Sequence, residues 1–485
     1  MTQESVTNRW LILVIACLAQ FMVVLDATIV NVALPSIQRG LHFSTANLAW
    51  VINAYTLVFG GFLMLGGRAA DLLGRRRLFV AGVILFSIAS LFNGLAQSSA
   101  MLIVARGLQG LGGALVSPAA LSIIMTTFRD NGERTKALGV WSGIAAGGAA
   151  FGLLLGGVLT DLVSWRWIFF VNVPVGVLTT MLAMRFVPES RADLGHHSFD
   201  LAGATTVTAG LVTVVFGIIK AQTWGWGSAE TLLVLGGGAA LLALFGVIES
   251  RAKAPLVRLS IFRTRTISAA NLVMLLVASG MFGMFFFASL YVQDILGYSP
   301  LRAGFAFLPV TGGIIVGAAL AQQLIARVGV RTVAIAGTSL AALGLVLLTG
   351  VPVHGSYVSD LLVGLIPLSI GLGLTFVPIT LLGTSGVSSD DSGLASGLFN
   401  TSQQVGGSLG LAILATLSAS QTSSLLHGSH AGMAAQLAAR VSGYHVAFAA
   451  AAIMLGAGAV LLAVLLRRRH LEGVELDPNA VPVAV

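Results

Sequence analysis

The sequence predicts an all-α integral membrane protein of fourteen transmembrane helices, arranged as two six-helix halves with two extra helices between them. Three observations carry this prediction. Of 485 residues, 56% are hydrophobic and only 9% charged, with a mean hydropathy of +0.94, whereas soluble domains carry about 25% charged residues. The apolar residues gather in fourteen runs near the ~20 residues that cross a hydrocarbon core. The basic residues sort by side of those runs. The 59 Gly and 12 Pro, many inside apolar runs, fit the same class, because neighbouring helices in lipid re-satisfy the backbone groups they disturb.

The first run, 11–33, follows a short polar start and is too long for a signal-peptide core, so it is expected to be retained. The next five runs, 48–67, 78–96, 101–125, 137–160 and 167–186, complete a first half over 1–186. A linker over 187–267 holds two more, 201–220 and 230–249. A second half over 268–466 holds 268–292, 303–325, 332–350, 360–384, 393–417 and 444–466, and a tail follows over 467–485. An even number of crossings places both termini on one side. With the termini inside, twenty of the 26 basic residues fall on inner segments and five (Arg39, Arg166, Lys220, Arg302 and Arg440) on outer ones. That asymmetry is the positive-inside pattern and orients both termini to the cytoplasm. The net charge of +8 therefore reports topology, and no nucleic-acid partner is implied. The single Cys17 excludes an intramolecular disulfide.

An internal repeat supports the two halves. Gly74-Arg-Arg-Arg-Leu-Phe-Val-Ala-Gly82 opens the third span, and Gly329-Val-Arg-Thr-Val-Ala-Ile-Ala-Gly337, 255 residues later, opens the eleventh. The matches Gly74/Gly329, Arg76/Arg331, Ala81/Ala336 and Gly82/Gly337 are what a parallel duplication leaves behind. The extra pair at 201–249 accounts for the long offset.

Several motifs carry chemistry. After the second span stands Gly67-Arg-Ala-Ala-Asp71-Leu-Leu-Gly74-Arg75-Arg76-Arg77, read as an inner loop in which glycine permits a tight turn. Asp71 there serves helix-end amides or arginine, and the arginines face anionic lipid or helix C-termini. The spacing resembles the signature loop of the major facilitator superfamily. Leu102-Ile-Val-Ala-Arg106-Gly-Leu-Gln109-Gly110-Leu-Gly112 resembles that superfamily's fourth-span motif. Leu25-Asp26-Ala-Thr28-Ile-Val-Asn31-Val-Ala-Leu34-Pro35 resembles the first-span motif of its drug–proton antiporters. Trp167-Ile-Phe169-Phe-Val-Asn172-Val-Pro174-Val-Gly176 and Gly297-Tyr298-Ser299-Pro300-Leu301-Arg302-Ala303-Gly304 resemble motifs of the fourteen-span branch. The fifth-span antiporter motif is matched by Gly148, Gly152, Gly156 and Gly157, with Leu153 where that family usually has Pro. The four-residue spacing puts these glycines on one helix face, expected to contact a helix of the other half.

The resemblance implies a major facilitator fold working as a proton-coupled exporter of amphiphilic drugs or antibiotics in a bacterial cell membrane. It needs no cofactor and uses the proton gradient as energy source. A proton-coupled uptake symporter of the same fold is the alternative, because fold does not fix direction. An enzyme is not expected: there is no HExxH, no nucleotide loop and no Asp-rich motif. Asp26 and Arg106 are the ionisable residues inside spans, where charge is costly unless paired or wetted. Counting back from the outer span ends places them roughly 10 Å and roughly 8 Å deep, near enough in depth to interact. A desolvated carboxylate balanced by arginine is a workable proton switch, and the resemblance implies proton coupling or cation recognition for both. Asp360, at a span end, is a weaker second candidate. Candidate substrate contacts are Asn31, Asn53, Tyr55, Met281, Phe285, Asn400, Gln403 and Gln404, which offer adaptable bulk and in-membrane amides. The expected partners are a hydrophobic or cationic small molecule, protons and membrane lipid; substrate identity, proton stoichiometry and oligomeric state stay open.

Overall fold

A computed structural model describes residues 4–128, 130–191, 200–252, 255–384, 392–426 and 432–466. The tail 467–485, with Arg467, Arg468 and Arg469, lies outside the described residues, as do Arg129 and Lys253. Among the described residues there is no strand. Among them fourteen helices are long and apolar enough to span a membrane. They are α1 (Arg9–Leu41), α2 (Thr45–Leu73), α3 (Arg75–Gly94), α4 (Ser99–Thr127), α5 (Gly132–Leu162), α6 (Trp167–Phe186) and α7 (Leu201–Trp224). The rest are α8 (Ala229–Arg251), α9 (Arg265–Ile295), α10 (Pro300–Val328), α11 (Val330–Leu348), α12 (Tyr357–Thr384), α13 (Gly393–Leu426) and α14 (Met433–Leu465). Bulky apolar side chains such as Leu162, Leu233 and Ile453 point away from the core at 70%, 75% and 73% exposure. That surface needs a lipid solvent.

Several helices are longer than the apolar runs that announced them, and α1 shows why. Its run was expected to stop at residue 33, before Pro35, yet the helix passes through Pro35 to Leu41. Proline has no N–H and leaves the Asn31 carbonyl without its helical donor. Ser289 Oγ on α9 donates to that carbonyl at 2.6 Å, and Gln293 Nε2 donates to the Val32 carbonyl at 2.8 Å. A neighbouring helix thus re-satisfies the disturbed backbone, which water-free surroundings demand. In α4, Pro118 likewise frees the Ala114 carbonyl, against which Gly66 of α2 packs closely.

The packing repeats along the chain. In the first six helices α1 packs on α4, α5 and α6, α2 on α4, and α3 on α4 and α6. Eight helices later α9 packs on α12, α13 and α14, α10 on α12, and α11 on α12 and α14. The sequence repeat falls at matching points of this pattern. Gly74 and Gly329 cap the N-termini of α3 and α11 with φ of 110° and 85°, which glycine alone adopts without strain. Gly82 meets Leu115 of α4, and Gly337 meets Leu374 of α12. The two sets of six touch through α2 on α13, α5 on α10 and α1 on α9. Helix α7 lies against both α2 and α13, with Thr208 fitted to Gly61 and Thr416 Oγ1 donating to the Ile218 carbonyl. Helix α8 packs on α7 and is the least buried of the fourteen.

Candidate functional site

Asp26 lies near the middle of α1 and is fully buried, as is Arg106 of α4. α1 extends to Leu41, past the residue 33 from which the depth of Asp26 was counted. Helix crossing nevertheless brings the two together: Arg106 Nη1 stands 2.5 Å from Asp26 Oδ2. One helical turn beyond Arg106, on the same face of α4, Gln109 Nε2 donates to Asp26 Oδ1 at 2.8 Å. From α6, Asn172 Nδ2 donates to the same oxygen at 3.0 Å. The carboxylate therefore accepts three side-chain donors from two helices, each strengthened by the charge it meets.

The guanidinium is held as closely. Arg106 Nε donates to the Val51 carbonyl of α2 at 2.9 Å, and Nη1 also donates to Gln109 Oε1 at 2.8 Å. Its Cζ lies 4.4 Å over the Tyr55 ring and 5.8 Å from the Phe169 ring centre. Behind the pair, α3 supplies Ser90 and Asn93, one turn apart. Ser90 Oγ accepts from Asn172 at 3.0 Å and from Gln109 at 3.2 Å, and donates to the Phe169 carbonyl at 2.9 Å. Asn93 Nδ2 donates to Gln109 Oε1 at 2.7 Å. Asn172 sits where α6 breaks, between Trp167–Phe170 and Asn172–Phe186, just ahead of Pro174. The break turns an amide inward from an otherwise apolar helix.

A buried ion pair survives in a low dielectric only when its remaining valences are filled. Here α1, α2, α4 and α6 together supply partners to both Asp26 carboxylate oxygens and to Arg106 Nε and Nη1. Adding a proton to Asp26 removes the charge that Arg106, Gln109 and Asn172 face at once, so a single proton changes contacts on α1, α4 and α6.

The Gly67–Arg77 segment differs from the expected loop. Residues 67–73 continue α2, Arg75–Arg77 begin α3, and Gly74 alone forms the turn, so Gly67 is not a turn residue. A Cβ on Gly67 would meet Pro118 at an ordinary 3.6 Å; the close approach belongs to its neighbour Gly66. Asp71 Oδ1 accepts from Arg75 Nη2 at 2.8 Å. Glu189, which no motif announced, accepts from the backbone N–H of Arg76 and of Arg77 at 3.2 Å each and so caps α3.

The fifth-span glycines also differ in partner. Gly148, Gly152 and Gly156 face Phe21, Thr28 and Ile29 of α1, within the same six helices, because α5 crosses α1 along that face. Only Gly157 reaches α10, where a Cβ would lie 2.8 Å from the Pro300 carbonyl oxygen. Opposite it, a Cβ on Gly304 would lie 2.6 Å from the Leu153 carbonyl oxygen. The α5–α10 contact is therefore Gly157 on Pro300 and Gly304 on Leu153, which is itself buried.

The expected substrate residues do not gather into one cluster. Tyr55 has its ring under Arg106 and its hydroxyl buried without a partner. Asn53 is buried with both amide atoms unpartnered, on the side of α2 that Thr56 and Gly60 turn to α13. Gln404 Oε1 is also buried and unpartnered, its Cβ against Gly60. Asn31 and Asn400 bond back to carbonyls of their own helices. Met281 and Phe285 are half-buried against the core, with Phe285 5.8 Å from Phe307; Gln403 is half-buried. Asp360 Oδ2 accepts from Ser356 N–H and Ser359 Oγ, a capping role at a helix start. Among the described residues no group of three His, Cys, Asp or Glu stands ready to hold a metal.

Fourteen membrane-length helices, the packing of the first six repeated in the last six, and a buried ion pair held among α1, α2, α4 and α6 fit a polytopic transporter. The sequence profile of the Major Facilitator Superfamily matches residues 16–411. The puromycin resistance protein pur8 of Streptomyces alboniger is 41% identical, over 95% of this chain and 92% of that protein. The cephamycin export protein CmcT of Amycolatopsis lactamdurans is 40% identical, over 93% and 92%. The lincomycin resistance protein of Streptomyces lincolnensis is 34% identical, over 84% of each. In fold, the chain is similar to a bacterial homolog of the human lysosomal transporter Spinster in an inward-facing, occupied conformation. That likeness has a TM-score of 0.67 at 17% identity, over 94% of this chain and 97% of the other. The chain belongs to the Major Facilitator Superfamily, with the fourteen-span drug transporters, and is a multi-pass membrane transporter, not an enzyme.

Proposed function

We propose that this transporter exports amphiphilic small molecules, antibiotics among them, from a bacterial cytoplasm in exchange for protons. The observation that carries the coupling is the buried Asp26–Arg106 pair and its ring of amide donors. Proton uptake by Asp26 loosens Arg106 and the α1–α4–α6 contacts, and deprotonation restores them. The direction of transport is supported by the resistance and export relatives, of which pur8 and CmcT cover nearly the whole chain.

The movement is alternating access, residues 1–186 rocking against 268–466 about a midplane cavity, with 187–267 carrying the extra helices α7 and α8. Both termini face the cytoplasm in this reading, which the twenty-to-five distribution of basic residues supports. The two sets of helices touch toward the face away from the termini, Gly157 with Pro300 and Ser289 with Asn31. The substrate would touch the half-buried Met281, Phe285, Asn400 and Gln403, with Gln404, Asn53 and Tyr55 supplying the buried polar atoms that still lack partners.

Comparing the susceptibility of cells with and without the protein to puromycin, lincomycin and lipophilic cations tests this reading. Export activity raises the tolerated concentration of at least one of them. Increased sensitivity, the mark of uptake, would contradict it.

A further inference from the structure

One group at the ion pair is bonded in a way that its present state does not use up. Asn172 is fully buried, and its Nδ2 donates both to Asp26 Oδ1 and to Ser90 Oγ, at 3.0 Å each. Its Oδ1, equally buried, has no partner. Such a group carries a desolvation cost and calls for a reason. The orientation follows from charge: an ionised carboxylate only accepts, so the amide must turn its NH2 toward Asp26. Once Asp26 holds a proton it has an O–H to place, and the bonded set around it is made of donors: Arg106, Gln109 and Asn172. The nearest spare acceptor carried by that set is Asn172 Oδ1.

We propose that Asn172 is a positioning residue for the proton step, serving both states of Asp26 by a half-turn of its side-chain amide. With Asp26 ionised, Nδ2 donates to the carboxylate. When a proton from water binds Asp26 Oδ1, the amide turns and its Oδ1 accepts the new O–H, so the neutral carboxyl stays held on α6 while Arg106 loses its counter-charge. The turn withdraws the donation to Ser90 Oγ, which keeps Gln109 as donor and the Phe169 carbonyl as acceptor. Protonation is thereby conveyed to the break in α6 and to α3, and no new charge is buried. This inference rests on the proposed role of Asp26 as the proton-binding group. The charged or titratable side chains facing Asp26 are Arg106 of α4 and Tyr55 of α2. Among the described residues, α5, α6 and α9, which also pack on α1, bring no ionisable group within hydrogen-bonding reach of it.

Infrared difference spectroscopy between high and low pH, on the purified full-length protein in lipid nanodiscs, tests this without any substrate. The wild type gives a carboxyl C=O band at low pH that Asp26→Asn removes. A wild-type band that survives Asp26→Asn would fault the proton site itself and not Asn172. In Asn172→Ala that band moves to higher frequency, because the protonated carboxyl has lost its acceptor. Asn172→Ser, whose hydroxyl donates or accepts in a smaller volume, gives a smaller shift and serves if the alanine cavity unfolds the protein. A band unmoved in frequency in both variants would overturn the proposal and reduce Asn172 to a fixed donor or to packing.

Discussion

Arg76 and Arg331 stand 255 residues apart in sequence and do the same thing at matching places in the fold. Arg76 Nη1 donates to the Val187 carbonyl at the end of α6, and Arg331 Nη2 donates to the Ala463 carbonyl at the end of α14. Each caps the C-terminus of the sixth helix of its set, where the unpaired carbonyls and the helix dipole favour a cation. The copies have diverged around this contact. Positions 71 and 75 of the first hold the Asp71–Arg75 ion pair, while the second has Ala326 and Val330 there.

Replacing either arginine with alanine is expected to cost about 0.3–1 kcal/mol of helix-end stabilisation. Arg76→Ala costs the more, because Arg76 also faces Glu189 at 3.8 Å. Thermal unfolding of the detergent-solubilised variants measures both. Equal and negligible effects would remove the capping role.

Adjacent glycines on α2 separate packing from motif membership. Gly67→Ala meets only Pro118 at ordinary contact distance and is expected to stay within about 0.5 kcal/mol of wild type. Gly66→Ala drives a methyl into the Ala114 carbonyl that Pro118 has bared, and overpacking of this kind costs about 1–3 kcal/mol. If the stability of Gly67→Ala falls below that of Gly66→Ala, the packing described for this pair of helices is wrong.

The fold was legible wherever one residue type or one period carried the message. Fourteen apolar runs and the Gly74/Gly329 repeat both survive into the structure. So does the pairing of Asp26 with Arg106, though α1 runs on to Leu41, past the residue 33 from which the depth was counted. What lay hidden depended on partners distant in sequence. Pro35 reads as a helix end until Ser289, on a helix 258 residues away, supplies the missing donor. Gly148, Gly152 and Gly156 declare a close helix contact, but nothing in their spacing says that α1 is the partner and α10 is not. Glu189 is an ordinary acidic residue until the chain returns it to the start of α3. Gln109 did carry a signal, being one turn from Arg106, and Asn172 another, as a lone amide in an apolar span.

The ion pair should behave as a unit in stability as well as in transport. Arg106→Met strands the buried carboxylate and is expected to cost about 3–5 kcal/mol. Adding Asp26→Asn to that variant recovers part of the loss, giving a positive coupling in the double-mutant cycle. Unfolding by mixed detergent or urea supplies the numbers; strictly additive losses would show that the two side chains do not sense each other.

The central claim is that the Asp26 carboxylate couples proton flow to export. The most direct test measures substrate accumulation in inside-out vesicles under an imposed proton gradient, for wild type and for Asp26→Asn, using a compound to which the protein confers resistance. The account expects gradient-driven accumulation by the wild type that collapses when the gradient is dissipated. It expects none by the folded Asp26→Asn protein, which retains at most downhill exchange. Accumulation by Asp26→Asn equal to that of the wild type would contradict it.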